Sequence, residues 1–165
     1  MMSPEGSSDL ATADLTRVLD EAAVPYELLP HAHTESATAE AEALGLAAAD
    51  VAKTLAVKTP DGYLRAVLPA SERLDLRKLR EFLGVGKHKV HLATEDDLGR
   101  DFPEFELGAV PPIGGSRHDP VIVDNRLSRR ASLVLEAGSH EESLRIAADD
   151  LVRVASAQLA DICED

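Results

Sequence analysis

The sequence has little of what several large protein classes require. Its single cysteine, Cys163, can form neither an internal disulfide framework nor a cysteine-based metal cage. No apolar run approaches the roughly 18–20 residues that a membrane-spanning helix needs. The first eight residues have neither the cationic nor the apolar segment of a signal peptide. We therefore expect a cytoplasmic protein with no membrane association.

Positive charge is also scarce. The chain has 17 Lys and Arg against 30 Asp and Glu, a formal net charge of −13. This balance argues against a general nucleic-acid binder, which needs a basic footprint, but it leaves room for a local basic pocket. The most basic run is Lys87–Leu92, which we predict to be a short strand. Its lysines either protect a solvated sheet edge or form part of a positive surface.

The remaining composition predicts one folded domain. With 165 residues and 44% apolar content the chain can build a real core, so we expect a disordered tail over residues 1–8 and a single domain over 9–165. Helices and strands alternate irregularly, with hairpins, which predicts a mixed α/β fold. Apolar spacing and capping residues predict helices at Asp9–Ala23, Ala37–Leu44, Asp75–Leu83 and Ala147–Ala155, and one that starts at Thr94.

The segment Val51–Lys58 organises the rest of the prediction. It is apolar, partly β-branched and followed by Pro60-Asp61-Gly62, so it reads as the first strand of a hairpin. Lys53 falls on the more apolar face of this strand. Its ammonium either stretches to water or lies at the mouth of a pocket that receives a phosphate or a polarised carbonyl.

A second unusual segment is Gly108–Gly115, which contains three glycines and two prolines. It can form neither a helix nor an interior strand. We interpret it either as a tight connection between strands or as a stiff wall of backbone N–H groups against a substrate carbonyl.

Two histidines, His31 and His33, could share a metal ion, but no third ligand follows at a suitable spacing. A nucleophilic pair is equally hard to find. Cys163 has no evident partner, and the adjacent residues Ser139 and His140 do not make a catalytic pair by being neighbours. The sequence therefore offers no convincing nucleophilic triad.

Six runs follow one another along the chain: Ser36–Ala41, Val51–Leu55, Leu74–Leu79, Gly108–Gly114, Val121–Asp124 and Ala137–His140. In this order they resemble the YbaK/ProRS-associated domain family of aminoacyl-tRNA deacylases, over roughly residues 10–163. The resemblance implies a barrel-like mixed sheet flanked by helices. It also implies hydrolysis of the ester that joins a wrong amino acid to the 3′ end of a tRNA, with no metal or cofactor.

The same resemblance assigns site residues. The central lysine of the family corresponds to Lys53, and Gly108 would lie beside the ester, where it helps to place water or to stabilise the oxyanion. His140 corresponds to a histidine that contacts the terminal adenosine. The remaining positions implied to bind substrate are Thr54, Ala109, Val110, Pro111, Pro112 and Gly114.

These implications agree with elementary chemistry. An aminoacyl ester is already activated, so its hydrolysis asks for positioning and oxyanion stabilisation more than for a strong nucleophile. The resemblance further implies that the substrate itself assists, through the neighbouring ribose hydroxyl or the thiol of a cysteinyl ester. It also implies a tRNA for proline that is charged with cysteine or alanine. The acidic chain would meet it through Arg77, Lys78, Arg80, Lys87 and Lys89, or receive it from prolyl-tRNA synthetase or an elongation factor.

Two alternatives remain beside the deacylase. One is a catalytically silent module that binds the 3′ end of tRNA or a nucleotide. The other is a metal-dependent hydrolase built on His31, His33 and a carboxylate.

Overall fold

The computed structural model describes residues 6–165, with side chains from Thr12 onward. The strands are β1 (Tyr26–Pro30), β2 (Val51–Thr59), β3 (Gly62–Pro69), β4 (His91–Leu92), β5 (Val121–Asp124), β6 (Ser132–Ser139), β7 (Glu142–Ala147) and β8 (Gln158–Ala160). The helices are α1 (Gly6–Glu21), α2 (Ala37–Leu44), α3 (Leu76–Leu83), α4 (Glu95–Asp101), α5 (Asn125–Ser128) and α6 (Ala148–Val154). A 3-10 turn at Ala48–Asp50 leads into β2.

All of these strands belong to one mixed sheet. Its order is β1-β7-β6-β2-β3-β5-β8, and β4 adds to β2. The pairs β2–β3 and β6–β7 are antiparallel hairpins, whereas β2–β6, β3–β5 and β5–β8 are parallel and are joined by longer connections that contain helices. The predicted mixed α/β sheet with flanking helices is therefore confirmed.

Helices pack on both faces of the sheet. Leu15 of α1 shares a core cluster with Ala52 of β2, and Leu79 of α3 shares a different cluster with Val57 of the same strand. Ala52 and Val57 differ by an odd number of positions, so the two clusters lie on opposite faces, as the alternation of a strand requires. No helix in residues 6–165 is long and apolar enough to cross a bilayer.

Capping side chains set the bounds of the predicted helices. The hydroxyl of Ser36 accepts the N–H of Ala39 at the start of α2, and Gly45, with a φ of 69°, ends it. The carboxylate of Asp75 accepts two backbone N–H groups at the start of α3, and Gly84, also at 69°, ends that helix. Both helices therefore lie where the sequence predicts them.

The first helix begins earlier than predicted. It runs over Gly6–Glu21, so residues 6–8 of the predicted tail are helical, and residues 1–5 of that tail lie outside the described residues.

The strand predicted over Lys87–Leu92 is wrong for its first four residues. Only His91 and Leu92 pair with β2, because the preceding residues form a turn in which His88 has a left-handed φ of 67°.

Helix α4 follows the predicted start at Thr94 and continues through Gly99 to Asp101. The capping box between Thr94 and Asp97 and an acidic first turn offset the roughly 1 kcal/mol that an interior glycine costs. Strand β6 extends to Ser139, with an irregular register after Glu136.

Candidate active site

Strand β2 lacks a neighbouring strand along part of one edge. On that edge β6 pairs with the first two residues of β2 only, and β4 pairs with Val57 and Lys58. In the part of the chain that the structure describes, no strand pairs with residues 53–56 there, whereas β3 follows the whole opposite edge. The sheet therefore has a gap beside Lys53.

The backbone of Thr54 faces this gap. The carbonyl of Val51 accepts the N–H of Ala70 on the β3 side, and the carbonyl of Ala56 accepts the N–H of Ala93 on the β4 side. Because the polar groups of successive residues alternate between the two edges of an antiparallel strand, the N–H and C=O of Thr54 point into the gap. They can pair with an extended ligand as a sheet edge does.

A cavity of about 150 Å³ lies at the gap. Its walls include Ala37, Lys53, Thr54, Gly108, Val110 and Glu136. The fold thus brings the lysine of β2 to the glycine of the predicted loop, although they are far apart in the sequence.

Lys53 is the cation of this cavity. Its side chain is half-buried, and burial lowers the pKa of its ammonium. It has no hydrogen bond or ion pair among the residues described. An ammonium that is partly desolvated and unpaired attracts an anionic or strongly polar ligand, since such a ligand restores the interactions that water provided.

A second cavity, of about 130 Å³, adjoins the first on the β4 side. The two share Thr54, Gly108 and Val110, but the second is closed by the apolar side chains of Leu92 and Leu98. One side of the gap is therefore polar and the other apolar.

The loop that carries Gly108 is fixed to the end of β6. The Nε2 atom of His140 lies 2.5 Å from the carbonyl oxygen of Leu107, and the backbone N–H of His140 donates to the Glu106 carboxylate at 3.0 Å. Gly108 has a φ of 82°, and a Cβ there would lie 3.6 Å from the ring of His140. His140 is only 4% exposed, so it supports the loop from behind.

Arg65 of β3 holds the following part of the loop. Its guanidinium donates to the carbonyls of Pro111 at 2.9 Å and Gly114 at 3.0 Å, and it pairs with Asp119 at 3.2 Å. The side chains of Arg65 and Asp119 are 2% and 4% exposed. Because the buried guanidinium donates several hydrogen bonds to fixed acceptors, it makes this loop rigid.

The remaining predicted residues of the loop lie away from the first cavity. Ala109, Pro111 and Pro112 are buried, and Gly114 lines a separate cavity beside Asp14. Their placement suits a role in shaping the loop.

The two histidines considered as metal ligands, His31 and His33, form hydrogen bonds with different partners. The Nε2 atom of His31 lies 2.8 Å from the hydroxyl of Ser143, and that of His33 lies 2.5 Å from the Glu35 carboxylate. Among the side chains described, from Thr12 onward, no three histidine, cysteine or carboxylate side chains are placed so that they could hold a metal ion.

The basic residues proposed to meet tRNA fall into two groups. Lys78 donates to the carboxylates of Asp161 and Asp165, and Arg77 pairs with Glu81 along α3. Lys87 and Lys89 are exposed in the turn that leads into β4, the strand that borders the second cavity.

Glu136 is a member of the cavity wall that the sequence did not reveal. In the sequence it is one polar residue at the end of an apolar strand, and only the pairing of β6 with β2 places it beside Lys53.

A family model described as an aminoacyl-tRNA editing domain matches residues 31–154, which include Lys53, Gly108 and His140. The chain belongs to this family. The match spans both walls of the cavity and most of the sheet, so the family resemblance seen in the sequence is confirmed.

Similar proteins and a similar solved structure agree with this family assignment. A protein of Enterococcus faecalis named as a candidate Cys-tRNA(Pro)/Cys-tRNA(Cys) deacylase, EbsC, is 27% identical over 150 residues, which is 88% of this chain and 90% of that protein. A proline–tRNA ligase of Fervidobacterium nodosum is 34% identical over 74 residues, covering 45% of this chain and 12% of the ligase. A crystal structure described as a candidate trans-editing enzyme for prolyl tRNA synthetase has the same fold, with a TM-score of 0.83, 22% identity and full coverage of both chains.

Proposed function

We propose that this protein is a free-standing deacylase that hydrolyses the ester between a mischarged amino acid and the terminal ribose of tRNA. The observation that carries the proposal is the cavity at the gap in the sheet, where the unpaired ammonium of Lys53 and the backbone of Gly108 line one small space. The match to EbsC over 90% of that protein's length supports an editing domain that acts without a synthetase attached.

The chemistry requires little from the protein beyond placement. The oxygen of a water molecule bonds to the carbonyl carbon of the ester, and the bond from that carbon to the ribose oxygen breaks. The ribose oxygen takes a proton and leaves as a hydroxyl, and the amino acid is released as a free acid. Lys53 would hold the terminal phosphate or polarise the carbonyl, and the backbone N–H groups at Gly108 would stabilise the oxyanion. The N–H and C=O of Thr54, at the open edge of β2, would align the substrate.

The single cysteine does not suit the role of nucleophile, since it is buried and does not line the cavity. Burial raises the pKa of Cys163 to about 12, which leaves very little thiolate at neutral pH. The attacking group in our proposal is therefore water, assisted by the neighbouring ribose hydroxyl or by the thiol of a cysteinyl ester.

The size of the cavity supports a small amino acid. The cavity has a volume of about 150 Å³, and the side chains of Ala37 and Ala52 are among its walls. Cysteine and alanine on tRNA for proline are the substrates we propose. The name of the E. faecalis relative specifies cysteine.

The tRNA must approach an acidic protein. We propose that Lys87 and Lys89, in the turn before β4, contact its phosphates, or that prolyl-tRNA synthetase or an elongation factor delivers it. A strong loss of binding between 50 and 200 mM salt would indicate direct contacts.

The decisive experiment incubates the purified protein with tRNA for proline charged with alanine, with cysteine or with proline as the cognate control. We expect hydrolysis of at least one of the first two and none of the third. If neither is hydrolysed and the tRNA is still bound, the silent binding module is the correct function.

A further inference from the structure

Glu136 is a buried carboxyl in the wall of the proposed active site. Its side chain is 9% exposed, it lines the cavity with Lys53 and Gly108, and its Oε2 atom has no hydrogen-bond partner among the residues described. The Nδ1 atom of His140 lies 3.4 Å from Oε2 without forming a hydrogen bond. Leaving such a group unsatisfied costs folding free energy, so a ligand that hydrogen-bonds to it would recover that cost on binding.

The pairing of the strands explains where this carboxyl lies. The parallel strands β2 and β6 pair at Val51 with Val134 and at Ala52 with Leu135, and then separate. Lys53 and Glu136 are the next residues of the two strands and therefore lie on the same face, on opposite sides of the opening. They form no ion pair with each other, so the cavity offers a cation and an acid at separate positions.

The surroundings of Glu136 are acidic. Burial raises its pKa to about 9, and the negative charges of Glu40, Glu106 and Glu35 add to the rise. His140 is the imidazole that faces it, and the Nε2 atom of that ring is already used by the Leu107 carbonyl. A ligand that brings positive charge offsets this repulsion and lowers the pKa of Glu136 again, so that the ionised carboxylate can accept the hydrogen bonds of the ligand.

We propose that Glu136 binds the α-amino group of the aminoacyl ester and so makes the enzyme select a free amine. This inference rests on the proposed function, because it assigns a group of the same substrate. The α-amino group is attached to the carbon next to the reacting carbonyl, so the residue that binds the amine must lie within the same small cavity as the groups that contact the ester. Glu136 meets this condition, because it lies on the opposite side of the cavity from Lys53.

The consequence is selectivity for aminoacyl-tRNA over N-acylated tRNA. Peptidyl-tRNA and N-formylated tRNA carry an amide in place of the amine, which has no positive charge and adds bulk. Glu136 would reject both, so the deacylase would spare nascent chains.

The test combines a substrate change with a residue change. Alanyl-tRNA for proline and its N-acetyl derivative are offered to the wild type and to Glu136→Gln, which keeps the size of the side chain. We expect the wild type to prefer the free amine by about 10- to 100-fold in kcat/KM. Glu136→Gln should lose most of that preference through a higher KM for the free amine. Glu141→Gln, which removes an exposed carboxyl nearby, should behave as the wild type.

A binding measurement separates this inference from the proposed function. Calorimetry with 3′-alanylamino-3′-deoxyadenosine, an amide that cannot be hydrolysed as an ester, and its N-acetyl derivative requires no turnover. Tighter binding of the free amine by the wild type but not by Glu136→Gln supports the inference even if no tRNA is deacylated. Equal preference for the free amine in both proteins overturns it, even if the wild type is an active deacylase.

Discussion

The Nε2 atom of His140 lies 2.5 Å from the carbonyl oxygen of Leu107, so its ring supports the residue that precedes Gly108. A bond from this nitrogen to a carbonyl requires the proton on Nε2. The family resemblance implies instead that this histidine contacts the terminal adenosine. The two roles predict different kinetics. If His140 supports the loop, its loss should lower kcat, whereas if it contacts the adenosine, its loss should raise KM.

We expect His140→Phe to lower kcat by about 5- to 100-fold with a small change in KM, because it leaves the Leu107 carbonyl without a donor. His140→Gln, whose amide can donate to the same carbonyl, should recover much of the loss. Steady-state deacylation measures both constants. A rise in KM alone would favour the adenosine contact.

Gly108 provides a second test of the loop. Gly108→Ala forces a side chain onto a residue with a φ of 82°, which costs about 1–2 kcal/mol. Gly84→Ala is a matched control, since Gly84 has a φ of 69°, ends α3 and has open space around its Cα. We expect a similar fall in thermal stability for both variants and a loss of deacylation for Gly108→Ala only. Equal activities would show that the loop tolerates the change.

Lys53→Ala should abolish most of the activity with little effect on stability. The ammonium has no ion pair to lose within the described residues, and removing one charged group from a reacting centre lowers kcat by about 10²–10³-fold. Lys58→Ala on the same strand removes an exposed partner of Asp97 and serves as the control. Wild-type turnover by Lys53→Ala would eliminate our mechanism.

Much of the fold could be predicted because its signals are local. Ser36 with Gly45, and Asp75 with Gly84, mark the ends of two helices through bonds within four residues. The short strand β4 could not be placed in this way, since only its pairing with β2 distinguishes two strand residues from the turn before them.

Site residues could be predicted from the sequence where the residue type is unusual for the strand or loop that contains it. A lysine inside an apolar strand and a glycine-proline loop both attract notice. Glu136 and Arg65 did not, because each is an ordinary alternate residue of a strand. Their roles depend on separation of β6 from β2 and on a loop that folds back over β3, and both are long-range features.

Breaking the ion pair under the loop should destabilise the whole domain. Asp119→Ala leaves the Arg65 guanidinium without its closest carboxylate in a buried position, and such a change typically costs about 3–5 kcal/mol. Urea unfolding measures the loss. Glu81→Ala, which removes an exposed pair with Arg77 on α3, should cost less than about 1 kcal/mol. Similar losses for the two variants would show that Arg65 finds another partner.

Between about pH 4.5 and about pH 9, two buried carboxyls should make folding stability fall as the pH rises, because each is held neutral in the folded chain. Burial raises the pKa of Glu136 to about 9 and that of Glu40 to about 7, from an ordinary value of 4.5. A carboxyl with a raised pKa binds its proton more tightly in the folded chain than in the unfolded chain. Its contribution is therefore complete below pH 4.5 and is lost up to about pH 7 for Glu40 and about pH 9 for Glu136.

Glu136→Gln isolates the larger of these effects, since its amide stays neutral at every pH. We expect the variant to be as stable as the wild type at about pH 5 and more stable at about pH 9. At about pH 9 the folded wild type must either hold a proton that the unfolded chain has released or bury a negative charge, and both cost free energy. The free energy of unfolding in urea at several pH values gives both curves. Glu141→Gln should run parallel to the wild type because its carboxyl is exposed. Parallel curves for Glu136→Gln as well would mean that Glu136 ionises in the folded protein as readily as in the unfolded chain.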